Sequence, residues 1–293
     1  MRKKPMLAYP VSDKPIDYSK PTFIQPKLDG VRCVIQAEPW VTNEASGYDI
    51  VAYSRTGKEW KNIDHILKEL IPFFERYPNV ILDGELYNHE LKNDFEKIIS
   101  LVRKTKPTEQ DRLESAGMVQ FHCYDTIMEH WNFSDRNSFI QQNFSYYGDY
   151  QCDSVVAVDY GMVFNTEEVE VAHEEFLDRG YEGSILRKNE KYECKRSWSL
   201  MKVKDFSDAE AIIVGYEEGK GKRVGTLGKF IMQDEDGNKF GCPPGKGYNY
   251  QDMRDMLRDI HKYMGQVATF TYFERTKKGS YRHPLFKTVR DYE

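Results

Sequence analysis

The chain has 293 residues, 42 of them basic and 47 acidic, for a formal net charge of −5. That length suits one large domain or two of ordinary size, and 40% apolar residues with 14% aromatic suffice for a packed core. The charge excludes a uniformly basic nucleic-acid binder. No apolar run approaches the about eighteen residues of a transmembrane helix, and Met1-Arg2-Lys3-Lys4-Pro5 lacks the apolar core of a secretory signal, so a cytoplasmic protein is expected. Five cysteines (33, 123, 152, 194, 242) are odd in number and form no CxxC pair; reduced thiols are the default, with no zinc module.

In chain order, residues 1–20 are polar, carry three prolines and read as an irregular surface arm. Strand-forming runs follow at 22–26, 31–37 and 50–54. Between the first two lies Lys27-Leu28-Asp29-Gly30-Val31-Arg32, which reads as strand, tight turn, strand, with Lys27 at the lip of the turn. Taken alone, Asp-Gly there is the commonest short hairpin signal. Ser54-Arg55-Thr56-Gly57 is a second turn carrying an arginine. Asn62 is placed to cap a helix with apolar positions 63, 66, 67 and 70, which Pro72 kinks or ends. Residues 79–87 read as a buried strand interrupted by Asp83-Gly84-Glu85; acids in so apolar a run need partners or a metal.

Phe95, Ile98, Ile99 and Val102 form a helical stripe, and 104–117 is a polar connection with room for a short helix. A strand is expected over 118–127, ending at Tyr124-Asp125. Ser134 is placed to cap a helix to Phe144, 155–164 reads as one strand, and Thr166 is placed to cap a helix stopped at Gly180. Glu182-Gly183 then opens a further strand, and Lys202-Val203-Lys204 closes another.

Strands and helices alternate irregularly, so the expected class is α+β with mostly antiparallel sheets. A boundary near 205–208 divides the chain into domains 1–204 and 205–293. In the second, strands at 211–216, 228–233 and 267–273 and a helix marked by Met253, Met256, Leu257, Ile260 and Met264 fit a five-stranded OB-fold barrel. Residues 275–290 hold six basic side chains and no acid, and 219–230 hold four and no acid. Such stretches are either a nucleic-acid footprint or lysine-guarded strand edges.

Each of Lys27-x-Asp-Gly-x-Arg32, Ser54-Arg55-x-Gly57, Asp83-Gly84-Glu85, Tyr124-Asp125, Glu182-Gly183 and Lys202-x-Lys204 has an ordinary account as a turn, bulge or strand end. In this order, followed by a basic small barrel, they resemble the covalent nucleotidyltransferase superfamily, most closely small ATP-dependent DNA ligases of the bacteriophage type. The resemblance covers about residues 5–293. It implies an adenylation domain of antiparallel sheets with flanking helices, then an OB-fold domain. It also implies sealing of 5′-phosphate/3′-hydroxyl nicks in duplex DNA with ATP and Mg2+, by a monomer.

Residue by residue, the resemblance makes Lys27 the nucleophile that carries AMP. It sets Glu85 at the ribose and, with Glu182, at the divalent ion. Tyr124 lies against adenine, Gln25 is a candidate for the adenine edge, and Lys202 and Lys204 hold the α-phosphate. Arg32 and Arg55 hold ribose or phosphate, including the 5′-phosphate of a nick. Lys222, Lys277 and Lys278 grip DNA. Arg282 and Arg290 flank a looser sixth motif that orients pyrophosphate; His283 within it departs from some relatives and suits a surface histidine equally. An ammonium has no lone pair, so Lys27 must lose a proton to attack, which partial burial and the neighbouring cations Lys202 and Lys204 would favour. The short stretch before Lys27 points to a minimal enzyme without a separate N-terminal DNA-binding domain. The rivals are an RNA ligase or RNA-capping guanylyltransferase of the same superfamily and, from another class, a non-catalytic OB-type nucleic-acid binder.

Overall fold

The computed structural model describes residues 3–11, 14–42, 44–92, 95–203, 207–245, 247–272, 274–275, 279–282 and 284–290, the side chains of Phe95, Glu274 and Arg282 excepted. They form two compact units: residues 3–9 with 17–203, and the described residues of 10–16 with those from 207 onward.

The first unit runs β1 (Leu7–Pro10), β2 (Thr22–Lys27), β3 (Val31–Val41), β4 (Ser46–Tyr53), α1 (Asp64–Glu69), α2 (Ile71–Arg76), β5 (Ile81–Tyr87), α3 (Phe95–Val102), α4 (Glu109–Met118), β6 (Gln120–Thr126), α5 (Phe133–Phe144), β7 (Val155–Ala157), β8 (Gly161–Val163), α6 (Thr166–Asp178), β9 (Gly183–Lys188) and β10 (Arg196–Val203). Its strands make two five-stranded sheets, ordered β1-β10-β9-β2-β8 and β4-β3-β5-β6-β7. The middle of strand β3 is covered on both faces. Cys33 and Ile35 pack with Ile66, Phe73, Leu82 and Phe121, while Val34 between them packs with Met6, Tyr192 and Leu200. Burial on both sides is why this run reads as continuously apolar instead of alternating.

The first motif is not a hairpin. Strand β2 pairs with β8 and β9, and β3 pairs with β4 and β5, so the turn after Lys27 carries the chain from one sheet to the other. Gly30 is required there by close approach: a Cβ would stand 2.4 Å from Leu86 O. Other local expectations also change in the fold. Asn62 does not cap α1; its Nδ2 donates to Leu101 O at 2.9 Å and Asp111 O at 3.1 Å, tying the start of α1 to α3 and α4. Pro72 does break the helix, since α1 stops and α2 restarts with the proline in its first turn. Asn132 sits at the N-cap of α5, and Ser134 N instead donates to Asn189 Oδ1 at 2.9 Å. Asn165, not Thr166, caps α6, accepting from Glu168 N at 2.8 Å. The expected strand 155–164 is two strands, because the chain leaves the second sheet after β7 and joins the first as β8. All registered ladders of this unit are antiparallel except β6–β7.

The second unit holds β11 (Ser207–Glu218), β12 (Leu227–Gln233), β13 (Lys239–Cys242), α7 (Tyr250–Arg258), β14 (Val267–Tyr272), β15 (Glu274–Arg275), β16 (Tyr281–Arg282) and β17 (Leu285–Val289). Five strands form one sheet, β13-β12-β11-β14-β17, bent by irregularities in the β11–β12 and β14–β17 ladders. Its two ends come together: Phe286 N donates to Pro243 O at 2.8 Å and Gly245 N to Phe286 O at 3.0 Å. The sheet therefore curls on itself, as a partly open OB barrel does. Ile213, Phe230, Met232, Cys242, Phe270 and Phe286 fill it. The α-helix is shorter than expected; beyond Arg258 the chain tightens into a 3-10 turn, Ile260–Lys262, before Gly265. No helix among the described residues is long and apolar enough to cross a membrane.

Candidate active site

Lys27 ends β2 opposite Gly183, the first residue of β9. Glu182 N donates to Lys27 O at 3.1 Å, and the Glu182 carboxylate forms an ion pair with Lys27 Nζ. Gly183 is needed for this approach. Its φ is +151°, and a Cβ would lie 2.5 Å from Val203 O on β10. Lys202 follows on β10, paired with Ile185 of β9. Two antiparallel pairings thus gather three motifs that are far apart in sequence.

The second sheet supplies the facing groups. Arg32 on β3 lies opposite Glu85 on β5. In the β5–β6 ladder Asp83 faces Asp125 and Gly84 faces Cys123, which leaves Tyr124 as the extra residue of a bulge. Bulges re-aim side chains, and Tyr124 OH here donates to Glu85 Oε2 at 3.1 Å. Burial pushes the Glu85 carboxyl up to about 7, against the opposing pull of Arg32, the Tyr124 hydroxyl and Lys27. Arg32 forks onto Asp83 with Nε and Nη2 at 2.6 and 2.5 Å and also reaches Met6 O at 3.1 Å. Tyr192 OH donates to the same Asp83 carboxylate at 2.7 Å. The acids in the apolar 79–87 run therefore have protein partners.

These groups surround one cavity of about 290 Å3 whose wall includes Gln25, Lys27, Arg32, Arg55, Glu85, Tyr124 and Lys202. Arg55, exposed in its turn, also borders a neighbouring recess of about 600 Å3 with Arg32, Lys58 and Arg103. Glu182 is not in the cavity wall and reaches the site through Lys27. Among the described residues no group of three or more His, Cys, Asp or Glu side chains is placed to hold a metal ion. The carboxylates at the site are Glu85, in the cavity wall, and Glu182, paired with Lys27.

Lys204, Lys277, Lys278 and His283 lie outside the described residues, as does the side chain of Arg282. In the second unit, Lys222 is exposed in the 3-10 turn Gly221–Arg223, and Arg290 forms an ion pair with Glu210.

Sequence reasoning missed Arg187 and Arg196, both in the cavity wall, and Arg136 behind it. The Asp125 carboxylate accepts from Arg136 Nε at 2.7 Å, Arg187 Nη1 at 2.6 Å and Thr126 N at 2.8 Å. Arg187 Nε donates to Gln25 Oε1 at 2.5 Å. The available signal was Asp125 itself: a buried acid at a strand end requires donors, and arginine is the side chain that supplies several at once.

A family model for the ATP dependent DNA ligase domain matches residues 5–204, and one for a DNA ligase OB-like domain matches residues 218–290. A DNA ligase of African swine fever virus is 31% identical over 270 residues, covering 87% of this chain and 60% of that protein. The DNA ligase of Enterobacteria phage T4 is 27% identical over 258 residues, covering 74% and 51%. The chain thus spans 51–60% of the length of these relatives. Among solved structures, the ATP-dependent DNA ligase of bacteriophage T7, in complex with ATP, aligns with a TM-score of 0.53 at 19% identity over 98% of both chains. A Lig E DNA ligase aligns with a TM-score of 0.51 at 24% identity, over 99% of this chain and 100% of that one. These two likenesses concern the fold. The first family match takes in nearly the whole unit that bears the cavity, and the chain belongs to the ATP-dependent DNA ligase family.

Proposed function

We propose that the chain seals nicks in duplex DNA at the expense of ATP, with Lys27 as the nucleophile. The observation that carries this reading is the meeting of Lys27 with Glu182, Glu85, Tyr124, Arg32, Arg55 and Lys202 at one site. A pure nucleic-acid binder has no need of a half-buried lysine held by a carboxylate at the mouth of a nucleotide-sized cavity.

In the first step the Lys27 amine attacks the α-phosphorus of ATP, a phosphoramide bond forms, and pyrophosphate leaves. The 5′-phosphate of the nick then attacks that phosphorus, and the amine leaves. Finally the 3′-hydroxyl attacks the activated 5′-phosphate and AMP departs. Glu182 has two competing uses. While it pairs with Lys27 it accepts a hydrogen bond from Nζ. For attack, Lys27 must leave this pair and give up its proton, and Glu182 is then free to help hold a divalent ion. Bound magnesium would supply charge neutralisation at the phosphoryl group, held by Glu182 and Glu85. Lys202 and Lys204 would hold the α-phosphate, and Tyr124 would stack on the base. Arg32 spends Nε and Nη2 on Asp83 and Met6 and keeps Nη1 for an anionic ligand.

The recess bordered by Arg55, Lys58 and Arg103 suits the phosphates flanking the nick. Lys222, Lys277 and Lys278 would add sequence-blind grip on the duplex, and Arg282 and Arg290 would orient pyrophosphate. We assign the enzyme to one nick per monomer. The test is a nicked duplex with a labelled 5′-phosphate, offered with DNA or RNA strands at the break. ATP- and Mg2+-dependent conversion to a phosphatase-resistant product on the all-DNA substrate supports the reading. Sealing of RNA alone transfers the chain to RNA ligation, and no sealing of either removes it.

A further inference from the structure

We propose that Arg187 is a positioning residue that sets which purine the cavity accepts, by fixing the orientation of the Gln25 side-chain amide. The inference rests on the cavity being a nucleotide site.

Gln25 is 1% exposed and stands in the cavity wall. A side-chain amide can present either its oxygen or its NH2 group. Arg187 decides between them. A guanidinium has donors only, so its Nε, 2.5 Å away, must meet the Gln25 oxygen. The NH2 group is left facing Tyr124 O at 3.5 Å. Arg187 cannot swing away without breaking a buried network. Its Nη1 is on Asp125, which Arg136 and Thr126 N hold in turn. Its guanidinium also lies 5.0 Å from the centre of the Phe133 ring and 5.3 Å from that of Tyr124.

Gln25 and Tyr124 both line the cavity, and one donor, Gln25 Nε2, stands beside one acceptor, Tyr124 O, on the bulged residue that has no register partner on β5. Adenine complements that pair. Its N7 side carries an acceptor next to the 6-amino donor, whereas guanine carries two acceptors there. Guanine would leave the Tyr124 carbonyl facing another acceptor, a contact that repels and leaves both without a donor. A Gln25 free to flip would present its oxygen instead and suit a guanine N–H. Of the two contacts on the amide, the short one from Arg187 does most to hold the orientation on which this discrimination depends.

The test uses the full chain with α-labelled ATP or GTP and reads the initial rate of covalent labelling. Wild type is compared with Arg187→Met, Gln25→Met and the double variant. Wild type should prefer ATP. Arg187→Met should lower the ATP:GTP ratio about tenfold, as expected for one hydrogen bond's worth of discrimination. Gln25→Met should do the same, and the double variant should be no worse than Gln25→Met alone, because both changes remove one device. Arg187→Lys keeps a charge beside Asp125 without the fork; it should also lower the ratio, and it is read if the methionine variant melts below the assay temperature. Labelling at an unchanged ratio in the Arg187 variants, or losses that multiply in the double variant, overturns the inference alone. No label on wild type with either nucleotide overturns the nucleotide-site reading and this inference with it.

Discussion

Replacing Glu85 by glutamine should stabilise the free protein, and by an amount that depends on pH. Burial raises the Glu85 carboxyl from 4.5 to about 7. The unfolded chain loses this proton near 4.5 and the folded chain near 7. Between those values the folded state binds more protons, so stability falls as pH rises through the window and the loss is complete above it. The 2.5 pH units between 4.5 and about 7 correspond to about 3 kcal/mol against folding with the group ionised. Glutamine keeps the shape and the acceptor for Tyr124 OH without the charge. At pH 5 wild type and Glu85→Gln should therefore unfold close together. By pH 8 the variant should lead by about 2–3 kcal/mol, or on the order of 6–10 °C in Tm for a unit of this size. Urea and thermal melts followed by circular dichroism at pH 5, 6, 7 and 8 read this directly. A gap that stays constant across the range, or that closes as pH rises, would refute the assignment of a destabilised carboxylate to Glu85.

Two further outcomes follow from the same geometry. Gly183→Ala places a side chain at φ +151° and 2.5 Å from Val203 O, so it should destabilise by about 2–4 kcal/mol in a urea melt and depress labelling at Lys27. Replacing Lys222, Lys277 and Lys278 together by alanine should weaken nick binding and flatten the log–log salt dependence by about 0.9 per lysine that touches phosphate; an unchanged slope in a binding titration would clear that surface of a role.

Much of the site was legible because its chemistry is costly in a strand. Two acids in the run from Val80 to Tyr87 demand partners wherever they occur, and the structure supplies Arg32, Tyr192 and Tyr124. The Gly183 position was legible as a turn, but its cause, the carbonyl of Val203, lies twenty residues later and leaves no local trace. Lys27-Leu28-Asp29-Gly30 misled in its local form. Asp-Gly reads as a hairpin because the sequence shows only that the chain turns, not that the strands on either side enter different sheets. The caps failed for a related reason. Asn62 and Ser134 are competent caps, yet the Asn62 side chain goes to distant carbonyls, and α5 starts early enough to put Ser134 inside the helix, its N–H on Asn189. Arg187 was overlooked because Leu186-Arg187-Lys188 looks like the charged end of a strand. Its value comes from Asp125, which only folding brings to 2.6 Å.

The most direct measurement of the central claim is covalent labelling of the chain with α-labelled ATP and magnesium, resolved on a denaturing gel, for wild type and Lys27→Ala. The account predicts label that survives denaturation on wild type, is absent from Lys27→Ala, and is discharged by nicked duplex DNA. Wild-type protein that is folded and free of prior adenylation, yet takes no label, would contradict the claim that Lys27 is a nucleophile; label that persists in Lys27→Ala would place the nucleophile elsewhere.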